Sequence, residues 1–582
     1  MPPRVYKSHH PDIDLKVESV FSFLFTPDGQ GNIGGHPGSK PAIIDADTGT
    51  TISRSVLRSL SLSLAYGLTG KRSSSSPPLV PLKKGDTITI FSPNSIAWPV
   101  VLFGSVAAGL RCTFANSAHT AGELHHQWSD SRASLVFAHP SGVPTVLTMF
   151  ATHLGWTAAE ARARIVVMGI EWLTGSADEG AEGAAGFTQL PALLNHGTLP
   201  SEVKFEGKAT DETVFMCYSS GTTGLPKGVE TTHANVASIM QMAVPVFPPT
   251  HKDDVTLGML PFYSIGIVNI IPFSFHNGVP VVIMPRFNIE KFFAHVARYR
   301  ITNAFIVPPM LAIAQHPAVS QHNLTSLRML FSTAAPLGRT LVEATCARLR
   351  SVGAEVAITQ AYGLTETSPT VHVLHPADSL RKVGSVGVLV PNLEARLVDD
   401  DERDVNEGQS GELWLRGPSV MKCYLGNEQA TKQSITVDGW FKTGDIMTRD
   451  DEGFWTIVDR KKELIKYKSF QVPPAELEAL LLAHPDVADV AVIGVGSRSE
   501  ETELPRAYVV PTTVCPLSPQ DHAAFGTVIQ EWIKSRVAPH KQLRGGVRIV
   551  EVISKSAAGK ILRRELREMA KRELADAARA KL

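Results

Sequence analysis

The stretch that decides the fold is Tyr218-Ser219-Ser220-Gly221-Thr222-Thr223-Gly224-Leu225-Pro226-Lys227-Gly228-Val229. It holds three glycines, four serine or threonine hydroxyls and one lysine, and it follows an apolar run, Thr213 to Cys217, that is typical of a strand. Glycines let backbone N–H groups approach phosphate oxygens closely, hydroxyls add neutral donors, and the lysine adds a positive charge. The stretch therefore predicts a polyphosphate-binding loop. A flexible polar connection is disfavoured, because its donors are so dense and because Leu225-Pro226 suits an ordered turn.

The stretch differs from the Walker A loop of kinases and GTPases. That loop has the spacing G-x-x-x-x-G-K-[ST], with a hydroxyl directly after the lysine. Here Gly228 follows Lys227. A P-loop kinase or GTPase is therefore disfavoured.

The composition indicates a multidomain protein that binds small molecules. At 582 residues the chain exceeds the size of one ordinary core, and 43% of its residues are apolar. Lys plus Arg equals Asp plus Glu at 56 each, so no overall field attracts nucleic acid or an anionic membrane. The five cysteines are scattered without a C-x-x-C pair, which argues against a disulfide framework or a structural zinc site.

The two ends of the chain bear on localisation. Residues 1–10 contain no apolar core of a signal peptide, so we expect no secretion. The most apolar run, Trp98 to Leu110, is shorter than the ~20 residues that cross a bilayer and predicts a core helix. The chain ends in Ala580-Lys581-Leu582, close to the Ser-Lys-Leu peroxisomal signal. This ending predicts a peroxisomal protein that meets an import receptor. The alternatives are a cytoplasmic protein and a tripeptide that is only the tip of the charged helix 562–579.

Strand-like and helix-like segments alternate in the first part of the chain. Residues 86–91 and 133–138 predict strands, and residues 96–110 predict a helix between them. A β-then-α rhythm implies a parallel sheet that is covered by helices.

The phosphate-loop stretch resembles that of the adenylate-forming superfamily, whose members include acyl-CoA synthetases, 4-coumarate–CoA ligases, luciferases and peptide-synthetase adenylation domains. Further segments that resemble the motifs of this family follow in the family's order. They are 260–266, 332–337, 360–366, 438–445, 458–466, 467–472 and 553–564. The resemblance covers nearly the whole chain.

The resemblance implies an α/β fold with two domains of unequal size. The large N-terminal AMP-binding domain, residues 1–460, combines helix-covered β-sheets with a β-barrel-like subdomain. The C-terminal domain, residues 461–582, is a smaller and mobile α+β unit. Lys462 is the expected hinge between them.

By the same resemblance, the nucleotide site is made of residues from every motif. Thr365 contacts the α-phosphate, Glu366 holds Mg²⁺, and Lys560 is the catalytic lysine that enters the site for adenylation. A carboxylate beside phosphate oxygens is a usual magnesium ligand. The remaining nucleotide-binding and coenzyme A-binding residues are Ser219, Ser220, Gly221, Thr222, Thr223, Gly224, Lys227, Ala335, Gln360, Tyr362, Gly363, Asp445, Arg460, Lys466, Lys468 and Gln471.

Three departures from the family pattern concern the acyl pocket and the thiol. Tyr263 and Ser264 occupy the segment that lines the acyl pocket, and many relatives have histidine at the position of Ser264. Thr333 and Ala361 stand where relatives that accept bulky aryl acids often have glycine, so we expect a shorter or differently shaped acid than a hydroxycinnamate. Ser469 replaces the usual glycine of the loop that coenzyme A passes, where a side chain would narrow the approach of the thiol.

The implied activity is that of an ATP-dependent acid–CoA ligase with ATP, Mg²⁺ and coenzyme A. Other classes stay open at this point: an adenylating enzyme that feeds a carrier protein, luciferase-like chemistry, and a non-catalytic nucleotide-binding relative. No carrier attachment site follows the small domain in this sequence, and both Lys560 and Glu366 are present.

Overall fold

The computed structural model describes residues 3–70, 79–176, 178–219, 225–333, 337–468, 470–497, 502–512, 519–555 and 560–579. Several predicted residues therefore lie outside the described part of the chain. They are Ser220, Gly221, Thr222, Thr223, Gly224, Ala335, Ser469 and the tripeptide Ala580-Lys581-Leu582.

The strands of the structure are, in chain order, β1 (Tyr6–Lys7), β2 (Asn32–Ile33), β3 (His36–Pro37), β4 (Pro41–Asp45), β5 (Thr51–Ser53), β6 (Thr87–Phe91), β7 (Arg111–Ala115), β8 (Ala133–Ala138), β9 (Ile165–Val167), β10 (Thr188–Gln189), β11 (Thr213–Ser219), β12 (Lys227–Thr232), β13 (Thr256–Gly258), β14 (Val281–Ile283), β15 (Asn303–Ile306), β16 (Met329–Ser332), β17 (Ala357–Gly363), β18 (Thr370–Val373), β19 (Val388–Leu389), β20 (Glu394–Val398), β21 (Gly411–Arg416), β22 (Cys423–Tyr424), β23 (Phe441–Arg449), β24 (Trp455–Arg460), β25 (Ile465–Tyr467), β26 (Phe470–Val472), β27 (Val487–Ser497), β28 (Thr502–Pro511) and β29 (Val547–Ile549).

The α-helices are α1 (Val20–Phe25), α2 (Arg54–Thr69), α3 (Ala97–Ala107), α4 (Ala121–Asp130), α5 (Val143–Leu154), α6 (Ala158–Arg162), α7 (Glu171–Thr174), α8 (Leu190–Leu194), α9 (His233–Ala243), α10 (Ile267–Ile270), α11 (Pro272–His276), α12 (Ile289–Tyr299), α13 (Arg339–Arg350), α14 (Glu428–Ser434), α15 (Pro474–Leu481), α16 (Pro519–Lys534) and α17 (Arg563–Arg579).

An eight-stranded sheet carries the decisive stretch. Its order is β10-β9-β8-β6-β7-β11-β12-β22, and the strands from β10 to β11 are all parallel. At β11 the direction changes, because β12 and then β22 pair antiparallel. The predicted parallel, helix-covered sheet is confirmed. The glycine- and hydroxyl-rich stretch connects β11 to β12, so it joins two antiparallel strands instead of a strand and a helix.

The helix predicted from the apolar run is α3, and it is buried on every side. All eleven of its residues are inaccessible to solvent, which accounts for an apolar pattern without a polar face. The indole ring of Trp98 packs edge-on against Phe114 and Phe262. Gly109, just beyond the helix, has a φ of +74° and turns the chain into β7. No helix in the described part of the chain is long and apolar enough to span a bilayer.

A nine-stranded sheet carries a second group of predicted residues. Its order is β19-β18-β17-β16-β15-β13-β14-β4-β5, with parallel strands from β4 through β17. Strands β17 and β18 are antiparallel and so end the parallel run. Both large sheets thus change direction next to a motif that resembles the nucleotide-binding segments of the family.

A five-stranded antiparallel sheet corresponds to the expected β-barrel-like subdomain. Its order is β1-β20-β21-β23-β24. Because β24 is its last strand, the chain leaves this sheet at Arg460 and enters the remaining α+β unit.

The C-terminal unit has its own sheet, of order β27-β28-β29, and its own hairpin, β25-β26. Alternate residues of β27 point to opposite faces, as they must in a strand. Val490 and Val492 pack with α15 and α16, whereas Ala491 and Ile493 pack with α17. The expected small α+β unit is confirmed, while the boundary between residues 460 and 461 stays a prediction.

Candidate functional site

Asp445 lies at the centre of the site. Gly444, with a φ of +73°, turns the backbone, and its N–H donates to Glu412 Oε1 at 3.2 Å. The Asp445 side chain is only 3% exposed. Its Oδ2 accepts a 2.5 Å hydrogen bond from the Tyr362 hydroxyl, and its Oδ1 lies 3.2 Å from Nε of Arg460. An ionised carboxylate offers about four acceptor sites, so two remain for ligand hydroxyls.

The electrostatics of this cluster follow from burial. Burial raises the pKa of the Asp445 carboxyl, while Arg460, the Tyr362 hydrogen bond and Lys560 lower it. Burial and the neighbouring Asp445 carboxylate raise the pKa of the Tyr362 phenol well above its ordinary value. Burial acts to lower the pKa of Arg460, but Asp445, Glu463, Tyr362 and Glu366 outweigh it and raise the pKa. The site therefore holds a permanent cation beside a carboxylate.

Lys560 reaches the same cleft from the C-terminal unit. Its side chain keeps contact with solvent. Burial of its ammonium group and the nearby Arg460 lower the pKa of Lys560, whereas Asp445 and Glu366 act to raise it. The predicted lysine and the two predicted carboxylates are thus close enough to interact through their charges.

Arg563 fixes the segment that bears Lys560 to the C-terminal unit. Its guanidinium is 9% exposed, contacts Glu463 at 2.9 Å and makes a two-pronged ion pair with Glu478. The pair is strengthened because both prongs of the planar guanidinium are used. The segment that bears Lys560 is therefore attached to the C-terminal unit.

Glu366 is held by a residue that the sequence analysis did not identify. The Tyr424 hydroxyl donates to Glu366 Oε1 at 2.9 Å, and both side chains are 8% exposed. The ammonium of Lys227 lies over the Tyr424 ring at 4.9 Å. Strand β22 therefore connects the lysine of the decisive stretch to the predicted magnesium ligand, which no local sequence signal indicates.

The turn between β17 and β18 presents Thr365 and Glu366. Residues Thr365–Thr367 form one 3-10 turn, and the Met421 N–H donates to the Glu366 carbonyl at 2.8 Å. A Cβ at Gly363 would lie 2.0 Å from the Pro369 carbonyl oxygen, so only glycine permits this closure. The neighbouring Gln360 is 5% exposed, and its amide donates to the Ser385 carbonyl at 2.7 Å.

The described part of the decisive stretch is anchored on both sides. Ser219 is half-buried at the end of β11, directly opposite Lys227 in the hairpin register. The Tyr218 hydroxyl donates to Asp130 Oδ2 at 2.6 Å, and a ring nitrogen of His126 lies 3.0 Å from the Pro226 carbonyl oxygen. Helix α4 therefore supports the base of the loop.

The predicted acyl-pocket residues border a second buried region. Tyr263, Ser264, Thr333 and Ala361 are all half-buried. The segment before Tyr263 is held by Asn94, whose amide exchanges hydrogen bonds of 2.9 Å with the Leu260 carbonyl and the Phe262 N–H. Asn94 belongs to none of the motif segments named in the sequence analysis.

The β25-β26 hairpin carries the residues expected to meet coenzyme A. Lys466, Lys468 and Gln471 are exposed, and Lys466 pairs with Gln471 across the hairpin. Backbone N–H groups of Lys466 and Lys468 donate to Glu503 and Thr502, so the hairpin is attached to β28. These three residues thus belong to the C-terminal unit.

Lys462, the expected hinge, is exposed between two anchored neighbours. Before it, Lys461 contacts Glu412 at 3.1 Å and Asp400 at 2.9 Å in the five-stranded sheet. After it, Glu463 contacts Arg563 in the C-terminal unit. The side chains on the two sides of Lys462 therefore contact different bodies, while the Glu463 and Leu464 N–H groups donate to the Arg460 carbonyl at 2.9 and 3.1 Å.

Comparison with known proteins places this geometry in a family. The profile of the family described as AMP-binding enzyme matches residues 31–425, and that of the AMP-binding enzyme C-terminal domain matches residues 476–560. The chain belongs to the AMP-binding enzymes. The resemblance inferred from the motifs is thereby confirmed.

Relatives of this AMP-binding enzyme are CoA ligases. It is 33% identical to 4-coumarate–CoA ligase-like 4 of Oryza sativa subsp. japonica, over 98% of this chain and 97% of the relative. It is 32% identical to peroxisomal OPC-8:0-CoA ligase 1 of Arabidopsis thaliana, over 91% and 90%. The o-succinylbenzoate CoA synthetase of Bacillus subtilis, solved with its acyl-adenylate intermediate, is 25% identical with a TM-score of 0.71, covering 91% and 95%. Acid–CoA ligase activity is thus supported at the level of the family.

The described residues also fit a magnesium ion that is shared with phosphates. Among them, no three His, Cys, Asp or Glu side chains are grouped to hold a metal ion alone. One oxygen of Glu366 accepts from Tyr424, and the described residues provide no hydrogen bond to the other. One carboxylate with several waters and phosphate oxygens is how proteins usually bind Mg²⁺.

We predict that Tyr424→Phe raises the KM for MgATP about tenfold, the factor that one hydrogen bond to a charged acceptor represents. Burial and the nearby Glu366 raise the pKa of Tyr424, so the hydroxyl stays protonated and donates. Steady-state kinetics with varied MgATP measures the effect. Tyr299→Phe is the matched control, since the Tyr299 hydroxyl contacts only the Asp45 and Ala46 carbonyls among the described residues. An unchanged KM in Tyr424→Phe would contradict the role of Tyr424.

Proposed function

We propose that this AMP-binding enzyme activates a carboxylic acid with ATP in the cleft between Asp445 and Lys560 and transfers the acyl group to coenzyme A. The convergence of Lys560, Asp445, Glu366 and Arg460 carries the proposal. Two carboxylates and two cations from distant parts of the chain meet there, and such a set suits a ribose and a polyphosphate better than it suits packing.

Each residue has a proposed task in the first half-reaction. Asp445 accepts hydrogen bonds from the ribose hydroxyls, and Tyr362 borders the adenine. Lys227 and the hydroxyl-rich stretch hold the β- and γ-phosphates, and Thr365 contacts the α-phosphate. When bound, Mg²⁺ at Glu366 neutralises phosphate charge.

The chemistry requires activation because a carboxylate is a poor electrophile. A carboxylate oxygen attacks the α-phosphorus of ATP, the bond from that phosphorus to the pyrophosphate oxygen breaks, and pyrophosphate leaves with the electron pair. Lys560 stabilises the charge that gathers on the carboxylate and the α-phosphate. The coenzyme A sulfur then bonds to the acyl carbon of the mixed anhydride, losing its proton, and AMP leaves.

The second half-reaction calls for a change of domain orientation. Lys560 and the β25-β26 hairpin belong to one body, and the charge of Lys560 acts on Asp445 in this structure. A rotation at Lys462 would withdraw Lys560 and bring Lys466, Lys468 and Gln471 to the cleft, so that the thiol can attack.

We predict that Lys560→Ala lowers ATP–pyrophosphate exchange about 100-fold, as the loss of one charge-stabilising group at a reacting centre typically does. Conversion of a preformed acyl-adenylate to acyl-CoA should persist. Burial and Arg460 lower the pKa of Lys560 from its ordinary value of 10.5, so the ammonium group loses its proton at a lower pH than usual. As the pH is raised, wild-type pyrophosphate exchange should therefore decline before pH 10.5 is reached. Lys555→Ala is the control, since Lys555 pairs with Asp489 at 2.6 Å. Exchange that survives in Lys560→Ala would contradict the mechanism.

We propose further that the acid is shorter than a hydroxycinnamate or differently shaped. Thr333 follows β16, and its hydroxyl faces the Ile306 carbonyl at 3.5 Å. The rings of Phe305 and Phe331 stack at 5.1 Å on the two strands that lead to this point. We expect these side chains to limit the length of the acid that the site accepts.

A panel of carboxylic acids, scored separately for pyrophosphate release and for acyl-CoA, tests this substrate class. Short aliphatic or benzoic-type acids should react faster than 4-coumarate. The double variant Thr333→Gly with Ala361→Gly should raise kcat/KM for 4-coumarate relative to benzoate about tenfold, the usual effect of a few atoms in a pocket. Faster turnover of 4-coumarate by the wild type would refute the assignment. Release of pyrophosphate without formation of acyl-CoA would indicate that the acyl group is transferred to an acceptor other than coenzyme A.

We also propose that Ala580-Lys581-Leu582 directs the protein to peroxisomes. The tripeptide is close to the Ser-Lys-Leu signal, and the Arabidopsis thaliana relative carries the word peroxisomal in its name. A fluorescent protein that ends in residues 571–582 should co-localise with a peroxisomal marker, and the same fusion without the last three residues should stay diffuse. A diffuse pattern for both fusions would contradict the proposed role of the tripeptide.

A further inference from the structure

Asp459 lies just before the proposed hinge and contacts the body beyond it. It is the next-to-last residue of β24 and is 4% exposed. Its Oδ1 accepts from the Arg460 N–H at 2.7 Å. Its Oδ2 accepts from the N–H of Ala475, in the first turn of α15, at 3.0 Å. This second hydrogen bond joins the large domain to the C-terminal unit.

The bond to Ala475 satisfies a group that α15 leaves open. The first N–H groups of any helix have no partner within the helix, and here the N-cap is Pro473, which has no side-chain cap. Asp459 supplies that cap from outside the helix and places a negative charge at its positive end. A carboxylate in this geometry favours one orientation of α15 relative to β24.

Burial destabilises the ionised form of the Asp459 carboxyl group. The pKa of Asp459 is raised to about 6, chiefly by burial. Glu463 acts in the same direction, while the N–H groups of Ala475 and Arg460 and the charge of Arg563 act to lower the pKa. At neutral pH the Asp459 carboxyl group is mainly ionised, and its charge is stabilised by the N–H groups of Ala475 and Arg460. Rotation at Lys462 would leave Asp459 in place and carry Ala475 away, so the bond exists only while the two bodies are docked in this way.

We propose that Asp459 is a positioning residue that holds the C-terminal unit in the orientation for adenylation. It acts through Ala475 on α15, and through the Arg563 contacts with Glu463 and Glu478 on the segment that bears Lys560. The inference rests on the proposed function, because it assigns the docked state to the first half-reaction. Loss of the hydrogen bond between Asp459 and Ala475 should slow adenylation and leave thioester formation unaffected, which is the kinetic effect that distinguishes Asp459.

The test compares the two half-reactions in Asp459→Ala. ATP–pyrophosphate exchange, with the acid that reacts fastest in the panel, should fall about tenfold, the factor for one hydrogen bond to a charged group. Conversion of the isolated acyl-adenylate to acyl-CoA should be unchanged or faster. Asp459→Asn, whose amide oxygen still accepts from Ala475, should recover part of the exchange. Equal losses in both half-reactions, or no loss in either, would overturn the proposal.

A structural measurement on the ligand-free protein makes the test independent of activity. Hydrogen exchange of the peptide that covers residues 474–481 should be faster in Asp459→Ala, with exchange in β27 and β28 unchanged. Asp450→Ala is the matched control: Asp450 also accepts a backbone N–H, from Phe454 at 2.8 Å, but both residues precede Lys462. If hydrogen exchange of residues 474–481 is the same in Asp459→Ala and in the wild type, the proposed role of Asp459 is wrong. If the wild type shows no pyrophosphate exchange with any acid, the proposed function fails, while this measurement still decides whether Asp459 docks α15.

Discussion

The buried carboxylate of Asp445 is the constraint on which the rest of the site depends. It is contacted by Tyr362, from the end of the nine-stranded sheet, and by Arg460, from the last strand of the five-stranded sheet. A buried charge is stable only when it is paired and hydrogen-bonded. The nine-stranded and five-stranded sheets must therefore be packed so that Tyr362 and Arg460 both reach Asp445. Lys560 also interacts with this carboxylate.

The predicted loops share a topological position. In open parallel sheets, ligands bind beyond the carboxyl ends of the strands. Here each large sheet also changes from parallel to antiparallel at the strand that leads to a nucleotide-binding motif, β11 in one sheet and β17 in the other. In each case an antiparallel strand follows at once, so the motif has a strand on each side.

The motifs and their order, through the resemblance to the adenylate-forming family, were enough to predict the fold class and to expect Lys560, Glu366 and Asp445 in one site. They were not enough for the residues that position this group. Tyr424 lies 58 residues from Glu366, and Asn94 lies 168 residues from Phe262, so neither pair leaves a local pattern. Asp459 was hidden for a different reason: its acceptor role depends on the end of a helix in another body, which a strand-like sequence does not indicate. Ser264 and Thr333 could be recognised as unusual, but the acid they select depends on the shape of the pocket.

Two ion pairs lie on either side of the proposed hinge, Lys462. Lys461 is tied to Glu412, and Glu463 is tied to Arg563. If Lys462 is the hinge, as proposed, a rotation there must also break the hydrogen bonds that the Glu463 and Leu464 N–H groups donate to the Arg460 carbonyl at 2.9 and 3.1 Å. Rotation about the φ and ψ bonds of Lys462 would then exchange Lys560 for the β25-β26 hairpin beside Asp445.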